Sequence, residues 1–188
     1  DKLDTLTGFF GVGIYPTGSK DPFALRRAAL GITRLVVENG LDLDLIKLFE
    51  KSASLYPEGM LAESEGLVEK ALPGFMLERL KFSLKHLGLR HDIIDAVINA
   101  QMEEGKVAVL NLKSIVERAG SLQEFIGSAE GENLLTAYRR AVNIVTAEEK
   151  KDKSRYTDAV NDNILKEKQE KSLFEALVKA QNSIAPAL

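Results

Sequence analysis

Apolar side chains in this chain recur at intervals of three and four residues from one end to the other, and stretches of strict alternation are scarce. Leu25, Ala28, Ala29, Ile32, Leu35 and Val36 form one such stripe; Phe75, Leu77, Leu80, Leu84 and Leu87 form another; Leu134, Leu135, Tyr138, Ala141, Val142 and Val145 a third. Helical periodicity lays such residues along one face, where they can be buried together, whereas a strand exposes alternate residues on opposite faces. The pattern therefore predicts an all-α chain, a helical bundle of about eight to ten helices joined by short connections.

Turn and capping residues divide these stripes into helices. The first runs from Asp1 to about Phe10 and stops at Gly11-Val12-Gly13. In Pro16-Thr17-Gly18-Ser19-Lys20-Asp21-Pro22-Phe23-Ala24-Leu25-Arg26-Arg27, Asp21 is placed to accept from free N–H groups of a first turn and Pro22 suits a first helical position, so a helix is expected from Pro22 to about Glu38. Asn39-Gly40 ends it. Further helices are expected from Asp42 or Leu43 to Leu55, Leu61 to Leu72, Pro73 to Leu87 with Gly88 as a left-handed stop, Asp92 to Gln101, Lys106 or Val107 to Arg118, Leu122 to about Ser128 with Ser121 as cap, and Asn133 to Val145. Glu148-Glu149-Lys150-Lys151-Asp152-Lys153 lacks an apolar anchor and reads as a mobile loop or an unsupported helix extension. A last helix, about Lys168 to Ser183, buries Leu173, Phe174, Leu177 and Val178, and Pro186 prevents its continuation.

Composition removes several function classes. The 188 residues include no cysteine, which excludes disulfides, thiolate metal sites and cysteine nucleophiles and agrees with a cytoplasmic setting. No apolar run approaches the roughly eighteen residues of a membrane span. The net charge of −3 does not give the positive field of a dedicated nucleic-acid-binding domain, so any RNA contact has to come from local basic patches. Aromatics at 6% without tryptophan argue against a base-stacking sheet. The chain does not begin with Met and reads as a piece of a longer polypeptide.

Little in the chain suggests catalysis. His86 and His91 are the two histidines, and the glycine turn between them removes helical register, so no metal site is expected; His91-Asp92 reads as a helix entry or an RNA contact. Gly18-Ser19-Lys20 lacks the upstream glycine spacing of a phosphate loop, and Asp21 stands where a phosphate would sit. Three basic groups are more suggestive: Lys20, Arg26, Arg27 and Arg34; Arg79, Lys81, Lys85, His86, Arg90 and His91; and Arg139 and Arg140 with Asn143. Arginine can fork onto phosphate oxygens and asparagine can read a base edge, but outward cations are also ordinary surface, and Arg26 or Arg27 can instead pair with Asp21.

The run from Pro16 to Gly31 resembles a signature of the bacterial glycyl-tRNA synthetase β subunit family. Further segments resemble the family in the same order: Asp1-Lys2-Leu3-Asp4-Thr5-Leu6, Arg79-Leu80-Lys81, Gly88 to Val97, and Leu134-Leu135-Thr136-Ala137-Tyr138-Arg139-Arg140-Ala141-Val142-Asn143-Ile144. The resemblance implies the end of an HD-like domain at 1–15, a middle helical domain at 16–105 and an incomplete anticodon-binding helical domain of class I type at 106–188, together a C-terminal portion of the subunit. It implies a noncatalytic role in recognising tRNA-Gly, in a heterotetramer whose α subunit carries the class II active site and uses ATP and Mg; no metal or cofactor is expected in this segment. The candidate tRNA-binding residues are Arg139, Arg140 and Asn143, then Arg79, Lys81, Lys85, Arg90 and His91, while Lys20, Asp21, Arg26, Arg27 and Arg34 are partner-facing or structural. The alternative is a scaffold that contacts the α subunit without touching tRNA. An HD-type phosphohydrolase is not expected.

Overall fold

The computed structural model describes residues 1–62, 66–102, 107–157, 160 and 164–184, and among them the apolar stripes form eight α-helices and no strand. These are α1 (Lys2–Gly11), α2 (Leu25–Glu38), α3 (Leu45–Ala53), α4 (Leu72–His86), α5 (His91–Asn99), α6 (Leu112–Ile126), α7 (Ala129–Asp152) and α8 (Lys168–Ile184). The all-α bundle expected from the periodicity is what the chain forms. It divides into two units, Asp1–Leu135 and Thr136–Leu188.

In the first unit α1 packs on α2 and α3, α2 on α4 and α6, and α5 on α4 and α6. Leu6, Leu25, Phe49, Met76, Leu80, Leu84, Ile94 and Ile115 are wholly or almost wholly buried in one continuous core. Each such side chain stabilises the fold by about 1.5–3 kcal/mol. Polar ties fix the ends of the helices around that core. Asp44 caps α3 by accepting from Ile46 N at 3.1 Å and also accepts from Leu110 N at 3.2 Å, so one carboxylate joins two segments far apart in sequence. Asn111 caps α6 through Ser114 N at 2.9 Å and donates to Asp42 at 2.5 Å.

The glycine stops read from the sequence are used as stops. Gly88, at φ +82°, sends its N–H to Lys85 O at 3.0 Å while Leu89 N reaches Leu84 O at 3.2 Å, the paired bonds that satisfy the last carbonyls of a helix. Gly40, at φ +60°, does the same for α2 through Val37 O at 3.2 Å and, from Leu41, Val36 O at 2.9 Å.

Several expected boundaries are corrected. Helix α2 begins at Leu25, three residues after Pro22, because Ala24 adopts a left-handed φ of +56°. Ala24 N bonds to Asp21 O at 3.1 Å, which makes Pro22 the second residue of a turn, a position its ring also favours. The two segments expected to meet at Leu72 and Pro73 are continuous from Leu67: a π-helical turn, Leu67–Ala71, leads into α4. A wider turn before Pro73 avoids the clash between the proline ring and the carbonyl four residues back. The helices expected to flank Ser121 are one helix, α6, because Ile115, Val116, Ala119, Leu122 and Ile126 keep a single face on the core and override the weak propensity of Gly120. Its start lies at Leu112 and not at Val107; Lys106, like residues 63–65, 103–105 and Pro186, lies outside the described residues.

The second unit holds most of α7 and all of α8. Helix α7 continues through the charge run to Asp152, with Lys151 and Glu148 paired at 3.1 Å, and Lys153 then turns to φ +50°. The stripe expected to be buried there is exposed, with Tyr138 at 65% and Leu173 at 72%.

Candidate nucleic-acid interface

The first basic group is built on the turn before α2. Asp21 accepts from Leu25 N at 2.8 Å and Arg26 N at 3.0 Å, so both carboxylate oxygens cover the free N–H groups of the helix start. Arg26 sends Nη2 to Gly18 O at 2.8 Å and closes the loop, whose Thr17 and Lys20 bond to each other through their backbones. Arg34 pairs with Glu38 at 3.0 Å on the exposed face of α2. Arg27, exposed two turns earlier on that face, has no ion pair or side-chain hydrogen bond among the described residues.

Three of the six residues of the second group, Lys81, Arg90 and His91, are engaged by carboxylates inside the chain. Lys81 on α4 is ion-paired to Asp95 on α5, and His91 Nδ1 lies 2.6 Å from the other oxygen of the same carboxylate. The hydrogen bond from Lys81, reinforced by the charge of His91, holds Asp95 below the usual carboxylate range, and Lys81 is raised in turn. Arg90 forks onto Asp92 at 2.6 and 3.1 Å, lowering that carboxyl, while its own N–H is accepted by Gln123 at 2.9 Å. Arg79 lies over the Phe75 ring, 5.2 Å from its centre, with Nε buried and unpartnered. Lys85 and His86 are exposed, and the His86 ring meets Phe82 edge to face at 4.4 Å. Sequence reading missed Asp95 as a partner, although the four-residue spacing from His91 signals it; no sequence pattern signals Gln123.

The third group differs. Arg139, Arg140 and Asn143 are exposed on α7, and among the described residues none of their side chains is hydrogen-bonded or ion-paired. Arg139 and Asn143 are one turn apart and share a face, with Arg140 beside them. Two uncommitted guanidinium groups and an amide on a rigid helix can hold adjacent phosphates and a base edge. Among the described residues no group of three histidine or acidic side chains is placed to hold a metal ion, and no helix is long and apolar enough to cross a membrane.

Residues 1–99 match the family described as glycyl-tRNA synthetase beta subunit. Over its whole length the chain is 43% identical to the glycine–tRNA ligase beta subunit of Rhodospirillum centenum, and 39% identical to the proteins of that name from Ruegeria sp. and Paracoccus denitrificans. It spans about a quarter of the length of each of these relatives.

Proposed function

This chain belongs to the glycyl-tRNA synthetase β subunit family, and we propose that it is a noncatalytic segment that helps hold tRNA-Gly for aminoacylation by a partner α subunit in the cytoplasm. The observation that supports the reading is the contrast between the basic groups. Lys81, Arg90 and His91 are engaged by Asp95 and Asp92, whereas Arg139, Arg140 and Asn143 present their full bonding capacity to whatever approaches α7. Uncompensated arginines on an exposed helix suit a phosphate backbone, and their field is local, as the overall net charge of −3 requires. ATP and Mg belong, in this reading, to the α subunit.

The test is aminoacylation by the intact ligase carrying Arg139→Glu and Arg140→Glu. The expected result is a raised KM for tRNA-Gly with the KM for glycine unchanged; identical kinetics in both substrates would remove α7 from the tRNA site.

A further inference from the structure

The loop between α1 and α2 carries two exposed aromatic rings on a frame of hydrogen bonds. Phe23, 48% exposed, stacks on Phe9 of α1 with ring centres 4.3 Å apart and planes 25° from parallel. Tyr15, 42% exposed, meets Phe10 edge to face at 4.9 Å. Gly13 N and Ile14 N bond back to Phe10 O at 3.0 Å and Phe9 O at 2.8 Å, and Thr17 and Lys20 are bridged through their backbones. Arg26 ties the first turn of α2 to Gly18 O. The rings are therefore held in place before a partner arrives, and binding there has little ordering to offset.

We infer that Phe23 is a stacking platform for an unpaired base of the RNA, with the adjoining phosphates held by Lys20 and Arg27. The inference rests on the tRNA reading proposed above and adds to it a contact on the first unit. Phe9 covers one face of the Phe23 ring, and the exposure of the residue leaves the other face for a base, which extends the stack. Charge selects the occupant. Residues 16–38 hold four cations, Lys20, Arg26, Arg27 and Arg34, against two carboxylates, in a chain whose net charge is −3. Both carboxylates are engaged, Asp21 by Leu25 N and Arg26 N and Glu38 by Arg34. Lys20 and Arg27 are exposed, and among the described residues neither side chain has a partner. Lys20 stands three residues before the ring and Arg27 in the first turn of α2 after it. An open aromatic face bordered by free cations is the composition of a single-strand binding surface. An apolar protein segment would leave both cations unused, so it is the poorer occupant.

The experiment measures tRNA-Gly binding by the intact ligase across ionic strength, alongside association of its subunits, for the wild type, Phe23→Ala, Phe23→Leu, Phe23→Trp and the double variant Lys20→Glu/Arg27→Glu. Phe23→Leu keeps an apolar cover on Phe9 and removes only the ring, so a loss it shares with Phe23→Ala is a loss of stacking. Binding is expected to weaken about fivefold or more in both, with the log–log salt slope unchanged, and to be kept in Phe23→Trp. The charge-reversed variant is expected to bind more weakly with a slope shallower by about one to two. Unchanged tRNA affinity in Phe23→Ala and Phe23→Leu overturns the stacking assignment, and a loss in Arg139→Glu/Arg140→Glu then leaves the wider tRNA reading standing. A wild-type ligase that binds no tRNA-Gly overturns both. Weakened subunit association with tRNA affinity intact assigns the loop to a protein partner and also overturns the inference.

Discussion

Lys81 on α4 and Asp95 on α5 form an ion pair that joins two successive helices across the Gly88 turn, with His91 on the opposite carboxylate oxygen. A cation that sequence alone places on an outward face is thereby held by its neighbouring helix. The carboxyl groups of Asp92 and Asp95 are both lowered, chiefly by hydrogen bonds from Arg90 and Lys81, so the unfolded chain takes up their protons more readily than the folded one. Their contribution to stability is complete above the unfolded carboxylate value of about 4 and is lost as pH falls through the lower folded values.

Asp95→Asn is therefore expected to lower the melting temperature at neutral pH and to converge with the wild type in strong acid, where the carboxyl is protonated in both the folded and the unfolded chain. Thermal melts of the two proteins at both pH values check this. A gap that persists undiminished in acid would mean that the carboxylate charge is not what ties α4 to α5.

Asp21→Ala removes the acceptor for two N–H groups at the start of α2. Urea unfolding should show a loss of about 1 kcal/mol, the usual cost of an N-terminal cap. Asp21→Asn, with one carbonyl oxygen in place of two carboxylate oxygens, should fall between the variant and the wild type.

Two glycines near one another in sequence should respond in opposite directions. A Cβ at Gly131 would overlap the Phe125 carbonyl and Ile126 Cα, where Ser128 Oγ also accepts from Gly131 N at 3.1 Å. Gly131→Ala should destabilise by about 1–3 kcal/mol. Gly120, inside α6 and facing open space, should gain about 0.5–1 kcal/mol on Gly120→Ala. Chemical denaturation of both variants distinguishes a steric effect at Gly131 from a general benefit of alanine.

Spacing made the helices and the stops at Gly40 and Gly88 legible, because a 3.6-residue stripe and a left-handed glycine are local properties. It did not reveal that Ala24 would take a left-handed conformation, since alanine has no preference for it and the cause is the pair of bonds from Leu25 and Arg26 to Asp21. It divided α6 at Ser121 because capping residues carry the same local signal whether or not a core spans them. Among the basic residues it grouped Lys81, Lys85, Arg90 and His91 together. Which of them are engaged depends on Asp95 and Asp92 meeting them in space, and for Lys81 that meeting is a tertiary contact with no period to betray it.

Whether the uncommitted cations of α7 hold tRNA phosphates is tested most directly by a salt series. Binding of tRNA-Gly by the intact ligase, wild type and Arg139→Glu/Arg140→Glu, is measured across ionic strength. Weaker binding is expected for the variant, with a log–log salt slope shallower by about one to two, the number of phosphate contacts removed. Equal affinity and equal slope would contradict it.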